Sequence, residues 1–123
     1  MTNDQTLVED IMTTPLVTIR PDASIVEAAA TMRDKDISAL LVTTAPASII
    51  TSTDILDAVA KEQNTAELVV SDLMTESVET VPPDLPLGET AAMMTNFGIN
   101  HLPVVDDDYV GMVSSSDITK QLH

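Results

Sequence analysis

The 123-residue chain contains no cysteine and no tryptophan, and it has one phenylalanine, one tyrosine and three glycines. Without cysteine it has neither a disulfide nor a thiolate metal site. So few aromatic side chains provide no stacking platform for nucleic-acid bases, and the three glycines are too far apart to form a phosphate-binding loop. These absences exclude disulfide scaffolds, zinc fingers and P-loop proteins.

Basic residues are also scarce. Five Lys and Arg stand against twenty Asp and Glu, which gives a formal net charge of −15. Scattered cations do not neutralise a phosphate backbone or an anionic bilayer, so we expect no nucleic-acid and no membrane partner. Salt screens the repulsion within so acidic a surface. The charge therefore favours a halophilic source, an archaeon, over an ordinary acidic mesophile.

Long hydrophobic runs are missing as well. The longest uncharged stretch, residues 37–53, is interrupted by Thr, Ser and Pro and is too polar to span a membrane. The first ten residues are acidic and lack the apolar segment of a signal peptide. Apolar residues make up 44% of the chain, which suffices for a folded core. We therefore expect a cytoplasmic globular protein.

The sequence contains an internal duplication. Shifted by 62 positions, residues 11–43 match residues 73–105 with twelve identities in 33 positions. Ordinary composition gives roughly two or three identities over such a length. The two predicted copies are residues 1–62, which include a leading helix, and residues 63–123.

Each copy predicts the order β-α-β-β-α after a short acidic leading helix. Apolar alternation predicts the strands, and apolar residues spaced by three and four predict the helices. The predicted first strands are 16–19 and 78–81, the hairpin strands are 39–43 with 48–50 and 102–105 with 110–113, and the closing helices are 55–62 and 118–122. Because roughly sixty residues bury too little surface alone, we expect an α+β fold with the two repeats packed about a pseudo-twofold axis.

A polar pattern follows the last strand of each copy: Thr51-Ser52-Thr53-Asp54 and Ser114-Ser115-Ser116-Asp117. Hydroxyls and backbone N–H groups at a helix start favour a phosphate, and a carboxylate three residues on can accept two hydrogen bonds from a ribose diol. Simple N-capping is the alternative, since Ser, Thr and Asp are preferred caps. One such junction favours capping alone, whereas its presence in both copies favours a nucleoside site.

Other polar groups have simpler interpretations. Asp106-Asp107-Asp108 lacks the spacing of a calcium-binding loop and predicts a hairpin turn. His101 lies at a strand start and, taken alone, is a polar edge residue. No nucleophile is paired with a base, so we expect neither catalysis nor a metal site.

Residues 8–54 and 70–117 each resemble a CBS domain, which is named after cystathionine β-synthase. The similarity rests on residues 11–19, on Gly98-Ile99-Asn100-His101-Leu102-Pro103-Val104 and on Gly111-Met112-Val113-Ser114-Ser115-Ser116-Asp117. Two CBS domains form a Bateman module. The resemblance implies a non-catalytic regulatory homodimer that binds AMP, ADP, ATP or S-adenosylmethionine, and whose arrangement a partner protein, which the sequence does not identify, senses.

The resemblance also implies two ligand clefts that are assembled crosswise from the two repeats. The first cleft would contain Thr51, Thr53, Asp54 and Val78, with Asn100 and His101 near the phosphates. The second would contain Met112, Ser114, Ser116, Asp117 and Lys120, completed by Thr14, Pro15, Leu16, Ile37 and Ser38.

The sequence departs from the family pattern in two ways. The glycine that opens the last strand is present as Gly111 but is replaced by Ser48 in the first copy. Cations are also scarce around the clefts, since Lys120 has Asp57 as its counterpart and His101 has Ala39. A monophosphate or zwitterionic S-adenosylmethionine therefore fits better than a triphosphate. The same departures leave open a dimerisation or interaction scaffold that binds no ligand.

Overall fold

The computed structural model describes residues 5–76 and 78–121. Helices and strands alternate along these residues, as an α+β fold requires. The elements are α1 (Val8–Ile11), β1 (Thr18–Ile19), α2 (Ile25–Lys35), β2 (Ala39–Val42), β3 (Ser48–Thr51), α3 (Ser52–Ala60), α4 (Val70–Leu73), α5 (Leu87–Phe97), β4 (His101–Asp106), β5 (Asp108–Ser114) and α6 (Ser115–Gln121). Among the described residues, no helix combines the length and the apolar character needed to cross a membrane.

The chain forms two compact units. The central unit is Val17–Val78, and the split unit combines Met1–Leu16 with Glu79–His123. Each unit therefore contains the body of one repeat together with the leading segment of the other. The predicted repeat boundary between residues 62 and 63 concerns the duplication and stays a prediction.

The central unit contains a three-stranded sheet in the order β1-β2-β3. Strand β1 runs parallel to β2, and β2 pairs antiparallel with β3. All four residues of β2 are buried, as expected for an unbroken apolar strand covered on both faces. A further bridge joins Ile49 of β3 to Thr75, with backbone N···O distances of 3.0 and 2.8 Å.

Helix α2 covers this sheet. The hydroxyl of Ser24 accepts a hydrogen bond from the Glu27 N–H at 3.0 Å and caps the helix start. Ile25, Ala28 and Met32 then point into the core at helical spacing. The helix ends at Asp36, whose φ of 54° is left-handed.

The split unit has the same plan with a two-stranded sheet, β4-β5. Asp107, at a φ of 67°, forms the tight turn between the strands, in agreement with the predicted hairpin. Val81 adds a single parallel bridge to Val104. The core of the unit is aliphatic throughout and consists of Val8, Val81, Leu87, Met94, Leu102, Val104, Val113 and Ile118.

The strand predicted at residues 78–81 is observed only as a single bridge at Val81, which is less pairing than its counterpart β1 has. In the central unit the Leu41 N–H donates to the Val17 carbonyl at 3.1 Å and so holds the start of the strand. The repeat places Pro103 at the position of Leu41. Proline has no N–H, so this ladder bond is missing and, among the described residues, pairing is reduced to the bridge at Val81.

The leading helices are held by backbone bonds within their units. The Val8 N–H of α1 donates to the Leu85 carbonyl at 3.0 Å, and the Val70 N–H of α4 donates to the Ala23 carbonyl at 2.8 Å. Both valines are completely buried. The acidic residues of these helices act as caps: Asp10 Oδ2 accepts from the Leu7 N–H at 2.8 Å, and Asp72 Oδ2 accepts from the Val69 N–H at 2.9 Å.

Candidate ligand-binding site

The candidate site begins where β3 passes directly into α3. Thr51 is extended, with φ −122° and ψ 164°, and is the N-cap of the helix. Its N–H donates to Asp54 Oδ2 at 2.9 Å, while the Asp54 N–H donates to Thr51 Oγ1 at 3.3 Å. These reciprocal bonds form a capping box. Helix α3 therefore begins three residues before the predicted start at residue 55.

The junction between β5 and α6 repeats this geometry in the split unit. The Ser114 N–H donates to Asp117 Oδ2 at 3.2 Å, and the Asp117 N–H donates to Ser114 Oγ at 3.1 Å. Ser114 Oγ also lies 3.1 Å from Ser116 Oγ. Helix α6 again begins three residues earlier than predicted, at Ser115, and the predicted last residue, Leu122, lies outside the described residues.

Both carboxylates are thus used as caps, as the simpler interpretation of the pattern required. In each case Oδ2 forms the cap, and Oδ1 takes no part in it. Asp54 and Asp117 are half-buried, so both side chains remain in contact with solvent. Capping fixes the orientation of each carboxylate and leaves one oxygen that can accept hydrogen bonds. The nucleoside site at these junctions stays a prediction.

A loop residue supports each junction from within its own unit. The Ser52 N–H donates to the Ser38 carbonyl at 2.9 Å, and the Ser115 N–H donates to the Asn100 carbonyl at 2.9 Å. In the split unit Ser115 Oγ also donates to Asn100 Oδ1 at 3.2 Å. In the sequence Ser115 is only one residue of a polar run, and the signal for its role is that it matches Ser52 in the repeat.

Further predicted site residues lie on loops of the two units. Thr13 pairs with Met112 through backbone bonds of 2.7 and 3.2 Å, and exposed Thr14 and Pro15 and half-buried Leu16 follow it in the split unit. Val78, the repeat counterpart of Leu16, is half-buried at the end of the central unit. Ile37 is half-buried and packs against the core of the central unit. The crosswise assignment of these residues to two clefts stays a prediction.

The two junctions differ in charge one helical turn further on. Asp57 follows Asp54 on α3, and Lys120 follows Asp117 on α6. Both are exposed. The ion pairs formed within residues 5–76 and 78–121 join Arg20 to Asp22 and Arg33 to Asp34, which are sequence neighbours.

Gly111 and Ser48 occupy matching positions but have different surroundings. A Cβ at Gly111 would lie 2.7 Å from Met12 Sδ and 3.0 Å from the Thr13 carbonyl oxygen. Ser48 is 1% exposed, and its Oγ lies 2.6 Å from Thr44 Oγ1. The central unit therefore accommodates the serine with its hydroxyl bonded, and the departure from the family glycine leaves the β3–α3 junction intact.

Other features of the described chain are less suited to a ligand. A cleft of about 430 Å³ between α5 and α6 includes Asn100 and Ser115, but its lining has no charged side chain and does not include Asp117. Among residues 5–76 and 78–121, no group of three His, Asp or Glu side chains is placed to hold a metal ion. Neither feature displaces the two junctions as the candidate site.

Comparison with known proteins identifies the family. The sequence profile of the CBS domain matches residues 8–61 and 70–123. The chain belongs to the CBS domain family. A solved CBS domain pair, that of protein MJ0100 in complex with 5′-methylthioadenosine and S-adenosyl-L-methionine, is 34% identical with a TM-score of 0.85, and the match covers 97% of each chain.

A second solved structure and an enzyme extend the comparison of the CBS pair. The hexameric CBS-CP12 protein from bloom-forming cyanobacteria has a TM-score of 0.91 at 27% identity, with 98% of this chain and 74% of that chain covered. A homoserine O-acetyltransferase of Methanohalobium evestigatum is 36% identical over 120 residues, which are 94% of this chain and 24% of that enzyme. The chain thus spans about a quarter of the first relatives it matches.

Proposed function

We propose that the protein is a non-catalytic regulatory sensor that binds an adenosine-containing ligand at its strand-to-helix junctions. The observation that carries the proposal is the likeness, over almost the whole chain, to a CBS domain pair in complex with two adenosine compounds. The duplicated capping boxes support it, since each holds a carboxylate with one oxygen outside the cap. Such an oxygen is suited to accept hydrogen bonds from a ribose diol.

The ligand class follows from charge. The net charge of −15 and the single Lys at the two junctions disfavour a triphosphate. AMP, 5′-methylthioadenosine and S-adenosylmethionine are the ligands that we propose, bound crosswise between residues of both repeats. Binding would favour one arrangement of the protein over another, and a partner protein would sense that arrangement.

We also propose that the protein is a homodimer. Among residues 5–76 and 78–121, four large apolar side chains are more than half exposed: Val26, Leu56, Val59 and Phe97. All four lie on the long helices α2, α3 and α5. A cytoplasm rich in potassium salt is the setting we propose for so acidic a surface, because salt screens the repulsion between two such chains.

The second candidate is a dimerisation scaffold that binds no ligand, and the same exposed apolar side chains favour it. The two functions differ in one measurable respect. A ligand that binds the folded sensor raises its melting temperature by mass action. The melting temperature of the scaffold stays the same with every nucleotide.

The test is calorimetric titration in potassium chloride with AMP, ADP, ATP, 5′-methylthioadenosine and S-adenosylmethionine. Asp54→Asn and Asp117→Asn keep an oxygen for the cap and remove the charge that a ribose diol would bind, so we expect each to weaken one binding event at least about tenfold. Asp72→Asn is the matched control, because Asp72 caps α4 in the same way. Absence of heat with every ligand, from a folded protein, would leave the scaffold.

A further inference from the structure

The two proposed binding junctions have the same geometry but opposite charge beside it. In both, a hydroxyl residue and an Asp three positions later form reciprocal bonds of 2.9–3.3 Å. The residue three positions beyond the Asp lies on the same helical face. That residue is Asp57 in the central unit and Lys120 in the split unit. Because the two junctions have the same capping geometry, this charge distinguishes them independently of their shape.

We propose that Asp57 and Lys120 are specificity-determining residues that make the two junctions bind adenosine ligands of different charge. The Asp54 junction, with Asp57 beside it, takes an uncharged or cationic adenosine thioether or sulfonium compound and disfavours a phosphate. The Asp117 junction, with Lys120 beside it, takes an adenosine monophosphate. This inference rests on the proposed adenosine-binding function and deepens it, because it assigns a ligand charge to each site.

The physical basis is Coulomb interaction across a wet surface. Neither Asp57 nor Lys120 forms an ion pair within the part of the chain that the structure describes, so both charges are available to a ligand. Reversing one of these charges changes the interaction with a doubly charged phosphate roughly 10 Å away by about fourfold in affinity at 50 mM salt. An uncharged thioether feels almost none of this change. The ratio of the two affinities therefore isolates the charge term.

The experiment uses AMP and 5′-methylthioadenosine, which differ at the 5′ position. Each junction is measured alone, the first in an Asp117→Asn background and the second in an Asp54→Asn background. We expect the first to prefer the thioether, and Asp57→Lys to raise AMP affinity about fourfold. We expect the second to prefer AMP, and Lys120→Asp to lower AMP affinity by the same factor. Thioether affinity should stay within about twofold throughout.

The titrations use low ionic strength, so that the charges are weakly screened, and an osmolyte that keeps the protein folded. Trimethylamine oxide stabilises the fold at 50 mM ionic strength without adding screening ions. Asp84→Lys and Arg20→Asp are exposed controls that produce the same changes in net charge away from the Asp57 and Lys120 positions. They should leave both affinity ratios unchanged.

The outcomes separate this inference from the function on which it rests. Opposite shifts of the two ratios, which shrink as potassium chloride is added, would support it. If both probes bind but the ratio of AMP affinity to thioether affinity does not change in Asp57→Lys or Lys120→Asp, the inference is overturned and the proposed sensor function stands. Failure of the folded wild-type protein to bind any adenosine compound would overturn both.

Discussion

The close approach at Gly111 allows a quantitative test of the split unit. Residues Met12 and Thr13 lie against β5, and Thr13 is fixed there by two backbone bonds to Met112, of 2.7 and 3.2 Å. In Gly111→Ala the new methyl group would lie 2.7 Å from Met12 Sδ and 3.0 Å from the Thr13 carbonyl oxygen. The thioether can rotate away, but the carbonyl cannot move without loosening the bridge. The substitution therefore overpacks a buried site.

The size of the effect follows from two opposing terms. Overpacking in a filled site costs about 1–3 kcal/mol. Replacing glycine by alanine restricts the unfolded chain and so stabilises the protein by about 0.4–1 kcal/mol. We therefore expect Gly111→Ala to lower the free energy of unfolding by about 1–2 kcal/mol. For a chain of this length each kcal/mol corresponds to about 4 °C in melting temperature.

Urea denaturation followed by circular dichroism measures this change, and Gly88→Ala is the matched control. Gly88 is exposed in the first turn of α5, and a Cβ there would meet no atom within 4 Å. Alanine is the better helix former, so this variant should be more stable than the wild type. If Gly111→Ala is stabilised as much as Gly88→Ala, the close approach of Met12 and Thr13 does not constrain residue 111.

Three further predictions concern other parts of the molecule. Ser48→Ala removes a buried hydroxyl bonded to Thr44 Oγ1, and we expect a loss of about 1 kcal/mol in urea denaturation; unchanged stability would mean that the bond contributes nothing. Leu56→Glu places a charge on a side chain that is 67% exposed; it should shift light-scattering mass toward the monomer while the melting temperature of the fold stays near wild type. Raising potassium chloride from 0.05 to 1 M should increase the melting temperature by about 5 °C or more through screening of the −15 charge, and a flat or falling curve would contradict this.

The duplication made most of the fold predictable. The match at an offset of 62 implied two copies of one plan, and the apolar run of β2 and the cap at Ser24 marked a strand and a helix correctly. The mixed α+β architecture with two CBS repeats is confirmed by the family match and by the solved relatives. Periodicity works here because each element has a single face or segment to bury.

Pairing between distant segments was harder to predict. The shortened strand at residues 78–81 depends on Pro103, which lies in a different strand and acts through an N–H that it lacks. The grouping of α1 with residues 79–123 likewise depends on backbone bonds from the Val8 N–H to the Leu85 carbonyl and from the Glu9 N–H to the Pro83 carbonyl. Local patterns carry no information about which distant carbonyl a given N–H will meet.

The candidate site was predicted as a pattern, and the structure adds its geometry. The spacing of Thr51 and Asp54 allowed both a cap and a ligand site. The 2.9 Å bond from the Thr51 N–H shows that the cap is formed. The spacing of Thr51 and Asp54 in the sequence does not show which carboxylate oxygen accepts the capping hydrogen bond. Only the structure shows that Oδ2 accepts it and that Asp54 Oδ1 is left outside the cap.

The split unit has a consequence for the order of events during synthesis. Helix α1 leaves the ribosome before the central unit, but the carbonyl of Leu85 that receives the Val8 N–H follows only after that whole unit. Translation at about 5–20 residues per second separates the two by several seconds. The central unit, whose residues are contiguous, can close first, while the buried face of α1 stays uncovered. The apolar face of α1 is therefore exposed to aggregation and proteolysis until the residues that cover it have been synthesised.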